Sequence, residues 1–115
     1  MRIFRILSFF AALLLMGCHS EMVHVTLINT SSQPLATIVV DYPGGTFGVN
    51  QLGPGKTFPY NLKVLDGGNL KIQFTDALGH DHKYAGPPLY KHDAGSLRIK
   101  LTQDGASVES DFSHR

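Results

Sequence analysis

His80-Asp81-His82 is the segment whose residue types and spacing come nearest to a chemical site. Alternate side chains on a strand share a face, so His80 and His82 are expected to point the same way, with His92 on a later loop that could return to them. Three such imidazoles would suit zinc or copper. The competing reading is a polar strand edge opened by a turn, which needs no ion, and no Met-rich or Cys-containing copper motif accompanies the histidines. His80 beside Asp76 or Asp81 also has the composition of an acid/base pair. The sequence nevertheless carries no Gly-x-Ser-x-Gly elbow, no helix-borne zinc motif and no placeable pair of glycosidase carboxylates. No catalytic residue is assigned, and the chain is expected not to be an enzyme.

Asn50-Gln51-Leu52-Gly53-Pro54-Gly55-Lys56-Thr57 has the outline of a phosphate-binding loop, but Asn50 stands where the first Gly is required and Pro54 where amides should cradle phosphate. It is read as a turn. The Gly- and Pro-shaped stretches Tyr42–Phe47 and Tyr84–Tyr90 carry Tyr42, Phe47, Tyr84 and Tyr90, a set suited to a binding surface of low ordering cost. The alternative is that these rings close the open ends of a small β domain.

Composition limits the partners. The chain has 115 residues, 17% of them charged, with Lys+Arg 10 against Asp+Glu 9 and a formal charge of +1. Nucleic acid has no basic face to engage, and 43% hydrophobic residues exceeds what a disordered chain carries. A single Cys excludes an internal disulfide.

That cysteine ends a leader. Arg2 and Arg5 precede an apolar run from Ile6 to Met16 in which Ser8 is the one polar residue. The run is about half of the roughly 20 residues a membrane span needs, so it reads as a signal peptide. Leu15-Met16-Gly17-Cys18 resembles the bacterial lipoprotein lipobox. The resemblance implies lipid on the Cys18 thiol, cleavage just before it, and acylation (palmitate) of the new N-terminus. Two or three acyl chains at ~0.8 kcal/mol per buried methylene anchor a protein stably. His19 is not the Asp that retains such proteins at the inner membrane, so the outer membrane, facing the periplasm, is the expected address. Loss of residues 1–17 leaves eight basic against nine acidic residues, and the lipid must then do the membrane targeting.

The remainder alternates with a period of two, cut by turns every eight to twelve residues, which is the signature of an all-β domain. Expected strands start at Val23, run from Leu35 to Tyr42 and around Thr46 to Gln51, and include Phe58 to Val64. Leu70 to Thr75, His80 to Ala85, Leu97 to Thr102 and a last piece from Ala106 to Glu109 follow. Strands apolar on one face pack as two antiparallel sheets, so the fold class is a small β-sandwich of seven or eight strands. The expected organisation is a cleaved leader over 1–17, a lipidated Cys and tether over 18–22, and the sandwich over 23–112.

Asn29-Thr30-Ser31-Ser32-Gln33-Pro34-Leu35, followed by Leu52-Gly53-Pro54-Gly55, resembles the N-x-S-x-x-P-L … L-x-P-G frame of immunoglobulin-like accessory domains of bacterial surface proteins. The resemblance implies an Ig-like sandwich that binds other molecules, and it transfers no functional residue. The resulting expectation is a non-catalytic envelope lipoprotein that binds an envelope protein or glycan. A periplasmic zinc- or copper-binding lipoprotein using His80, His82 and His92 is its rival.

Overall fold

The computed structural model describes residues 22–114; the leader, the lipobox and Cys18 lie outside the described residues. Eight strands follow one another: β1 (Val23–Asn29), β2 (Leu35–Tyr42), β3 (Gly45–Leu52), β4 (Thr57–Leu62), β5 (Gly68–Thr75), β6 (Asp81–Leu89), β7 (Ala94–Leu101) and β8 (Ala106–His114). They form two four-stranded sheets, ordered β4-β1-β7-β8 and β3-β2-β5-β6, packed face to face as a sandwich.

All neighbours are antiparallel except β1 and β7, which run parallel in register Val25↔Leu97 and Leu27↔Ile99. Constant-type immunoglobulin domains keep their first two strands in one sheet. Here β1 and β2 belong to opposite sheets, so what the two share is the packing of two sheets and not this strand order.

The alternation that marks the strands also builds the core. Val23, Val25 and Leu27 of β1 and Leu97, Ile99 and Leu101 of β7 face Leu35, Ile38, Val40, Leu70, Ile72 and Phe74 of the other sheet, all buried. Each such side chain contributes ~1.5–3 kcal/mol on leaving water. In β2 the period slips, since Leu35 and Ile38 both point inward. The register against β5 shifts between Ala36 and Val39, and Thr37 takes up the extra residue at φ 50°. A β-branched residue at positive φ is unusual and marks a bulge that bends the strand.

β6 runs four residues beyond the expected Ala85, through Gly86-Pro87-Pro88 to Leu89. Proline is tolerated there because β6 is an edge strand with no ladder on one side. β8 likewise continues past Glu109.

Asn29, at the end of β1, is fully buried. Its Nδ2 donates to the carbonyls of Gln33 (2.8 Å) and Leu52 (2.9 Å). Its Oδ1 accepts from the Ser31 amide (2.9 Å) and hydroxyl (2.6 Å). The Asn29 backbone also exchanges hydrogen bonds with Lys56 and Gly55, so one side chain fastens the β1–β2 turn to the β3–β4 turn.

Candidate binding surface

The outer face of sheet β3-β2-β5-β6 is built from the positions that alternate with the core. Asp41 of β2 lies opposite Lys71 of β5, Lys71 opposite Ala85 of β6, and Gln73 opposite Lys83. Across this face runs a groove of about 380 Å³ lined by Asp41, Lys71, Ile72, Gln73, Lys83, Tyr84 and Ala85, so one of the four aromatics expected at a binding surface, Tyr84, borders it. A second hollow of about 170 Å³ shares Gln73 and Lys83 and runs on to Thr37, Val39 and Asp81. The bulge at Thr37 therefore shapes one end of the surface.

Its charges are unevenly matched. Asp41 Oδ1 accepts the Thr46 hydroxyl at 2.6 Å, and Asp81 Oδ1 accepts the Thr75 hydroxyl at 2.7 Å. Neither Lys71 nor Lys83 has a carboxylate partner among the described residues. They stand diagonally across a strand pair, at ~7–8 Å, a like-charge contact that costs about 0.5 kcal/mol in water and that an anion in the groove would relieve.

The chain's similarities can be set beside this geometry. No family model matches the sequence, and no curated protein matches it. A protein from Eubacterium rectale solved by NMR is similar to it at 18% identity, over 83% of this chain and 91% of that one, with a TM-score of 0.59. The likeness is one of fold.

The histidines do not converge. His80 lies in the β5–β6 turn, outside the strand that would have aligned it with His82, and its side chain is 72% exposed. His82, on β6, turns inward beside Phe74, with ring centroids 5.1 Å apart. His92 follows the far end of β6. Leu89 alone is seven residues past His82, roughly 23 Å at ~3.3 Å per residue. Among the described residues, no group of three or more His, Cys, Asp or Glu is placed to hold a metal ion.

What the turn does contain is a clip centred on Asp76. Its Oδ1 accepts the amides of Leu78 and His80, each at 2.9 Å, while its Oδ2 lies 2.8 Å from His82 Nε2 and 3.8 Å from His80 Nδ1. The His82 hydrogen bond and the His80 amide hold the Asp76 carboxyl below the usual carboxylate range. The Asp–His pair foreseen with His80 is thus made by His82, and it closes a turn.

Three of the four loop aromatics face inward. Phe47 is 6% exposed and stacks on Tyr60 with centroids 4.1 Å apart, while Tyr42 packs against both. These rings close the sandwich between edge strands β3 and β4. Burial, together with the hydrogen bond to Tyr60, raises the Tyr42 phenol above its ordinary value. Tyr84 lies in line with Phe74 and His82, and its hydroxyl donates to the Asp104 carbonyl at the β7–β8 hairpin. Only Tyr90 stands out, 53% exposed, in a turn where its amide donates to Asp93 Oδ2. The phosphate-loop-like segment is the β3–β4 turn, with Gly55 at φ 73° and a strand after it.

Lys71, Gln73, Lys83 and Asp41 are the residues that reading the sequence did not gather. Each is legible as the polar member of an alternating pair. Their meeting depends on β2, β5 and β6 being neighbours, and no local signal encodes that.

Proposed function

We propose that this chain is a non-catalytic envelope lipoprotein, anchored through Cys18 in the outer membrane and facing the periplasm. Its β-sandwich binds an anionic group of an envelope protein or glycan on the outer face of sheet β3-β2-β5-β6. The observation that carries the reading is the pair Lys71 and Lys83, two ammonium groups without carboxylate partners beside two adjoining hollows whose carboxylates, Asp41 in one and Asp81 in the other, are already engaged by threonines. The non-catalytic half is supported by Asp76 and His82, whose oxygens and ring are taken up by turn amides and by stacking on Phe74.

Two experiments test it. Labelled palmitate should enter the wild-type chain and not the Cys18→Ala variant; a normally processed, membrane-bound Cys18→Ala product overturns the anchor. The detergent-solubilised chain should be titrated with acidic oligosaccharides and acidic peptides while amide chemical shifts are followed. Shifts should centre on Asp41, Lys71, Gln73 and Lys83. Hydrogen bonds to charged groups contribute ~1.5–3 kcal/mol, so Lys71→Glu with Lys83→Glu should weaken binding at least about tenfold. Shifts confined to the Tyr90 turn, or affinity unchanged by the reversal, refute this surface.

A further inference from the structure

A two-layer sandwich has four edge strands, here β4 and β8 in one sheet and β3 and β6 in the other. An edge presents unpaired backbone N–H and C=O groups, and sheet proteins blunt it with charge, proline or bulges. Three of these edges are blunted. β4 carries Pro59; β6 carries Asp81, Lys83 and the Pro87-Pro88 pair; β8 carries Glu109 and Asp111 and is bulged where it meets Gly95.

β3 has none of these devices. Gly45-Thr46-Phe47-Gly48-Val49-Asn50-Gln51-Leu52 is eight residues long, with no proline and no charge, and its register to β2 runs without a shift from Gly45 to Val49. Thr46, Gly48, Asn50 and Gln51 are exposed.

We infer that β3 pairs antiparallel with β3 of a second copy of this chain, joining two β3-β2-β5-β6 sheets into one of eight strands. Antiparallel self-pairing sets each residue opposite the one at equal distance on the other side of the twofold, and like charges placed opposite one another are destabilising. Paired about Ser110, β8 would set Glu109 against Asp111, and β6 lacks two amide donors. Paired about Gly48, β3 meets itself with neutral side chains, Thr46 opposite Asn50, whose side-chain amide can donate to the threonine hydroxyl oxygen. The near-neutral mature chain adds little repulsion between copies.

Antiparallel edges that are equivalent must be related by a twofold axis perpendicular to the sheet, so the two outer faces lie on the same side. The inference stands on the edge alone and does not depend on what the groove binds. One strand pair is a small contact, and the dimer is expected in the micromolar range.

The test is sedimentation of the full chain in detergent over a range of concentrations. Wild type should dimerise. The double variants Thr46→Lys/Asn50→Lys and Thr46→Asp/Asn50→Asp, each of which sets like charges opposite one another, should weaken the dimer at least about tenfold, Ser107→Lys on β8 should not, and an equimolar mixture of the two double variants, which sets Lys opposite Asp, should recover it. Recovery in the mixture separates a lost interface from a lost fold. A monomeric wild type overturns the inference, as does a dimer indifferent to both double variants. A monomer that pairs β3 with an extended segment of another protein also refutes the second copy as occupant.

Discussion

Removing the Asn29 side chain should unfasten two turns at once, and the size of the effect can be worked from its four hydrogen bonds. In Asn29→Ala the buried Leu52 carbonyl loses the Nδ2 donor, leaving an unsatisfied group at a cost of ~1–3 kcal/mol. The Gln33 carbonyl keeps the Ser31 hydroxyl at 2.8 Å, so its loss is smaller. The Ser31 amide loses its acceptor, for about another 0.5–1.5 kcal/mol. A total of ~2–4 kcal/mol follows, which in a domain of this size lowers Tm by about 10–25 °C. Urea titration is the assay, because a shifted midpoint at unchanged slope reports stability alone. The isosteric Asn29→Asp sharpens the test. It turns a second oxygen toward two carbonyls, so the folded state favours the protonated acid and the folded pKa lies above the unfolded one. The variant should be least impaired below the ordinary carboxylate pKa of ~3.9 and lose stability as pH rises through the folded value. A loss under about 1 kcal/mol for Asn29→Ala, or a pH-independent Asn29→Asp, would refute the account of the latch.

Three further outcomes follow. A Cβ at Gly95, at φ 144°, would sit 2.2 Å from the Asp111 carbonyl oxygen and 2.8 Å from Phe112 Cα, so Gly95→Ala should cost more than ~3 kcal/mol or abolish folding, read from soluble yield and thermal melting. Because the Asp76 carboxyl is held below the usual range, its contribution is present above the unfolded pKa and is lost as pH falls through the folded one; Asp76→Asn should flatten the acid limb of the stability curve, measured by urea midpoints from about pH 6 down to about pH 2.5. Replacing His80, His82 and His92 together by Ala should leave zinc and copper affinity, measured by calorimetry, at the wild-type level; a tight site lost with the three would restore the metal reading.

What the sequence made legible was local. β2 was readable from Leu35 to Tyr42 because Pro34 and Pro43 bracket it, and the inward set of β5 because Leu70, Ile72 and Phe74 alternate without a break. The Asn29 frame was readable as a motif, though its connection to Leu52 and Lys56 lies in the tertiary structure. The far half of β6 was hidden by Pro87-Pro88, whose effect depends on whether a neighbour needs their missing donors. His80 and His82 looked alike because period-two reasoning assumes the strand has begun, and it begins one residue after His80. The aromatic loops gave residue types and left direction open between a binding surface and rings that close the domain, since facing in or out depends on register. The lysine groove needed the order β2-β5-β6, which is set by long-range packing.

The parallel pairing of β1 with β7 also fixes when the domain can form. β1 lies between β4 and β7, and its partner residues on the β7 side run from Gly95 to Leu101, near the other end of the chain. A chain that emerges N-terminus first can offer β1 only β4 as a neighbour until nearly all of its length is free. Contacts of such long sequence separation are slow to form and leave apolar edges open meanwhile. Under the export proposed above, this delay would keep the first strand incompletely paired, and the chain pliable, until the last strands have passed.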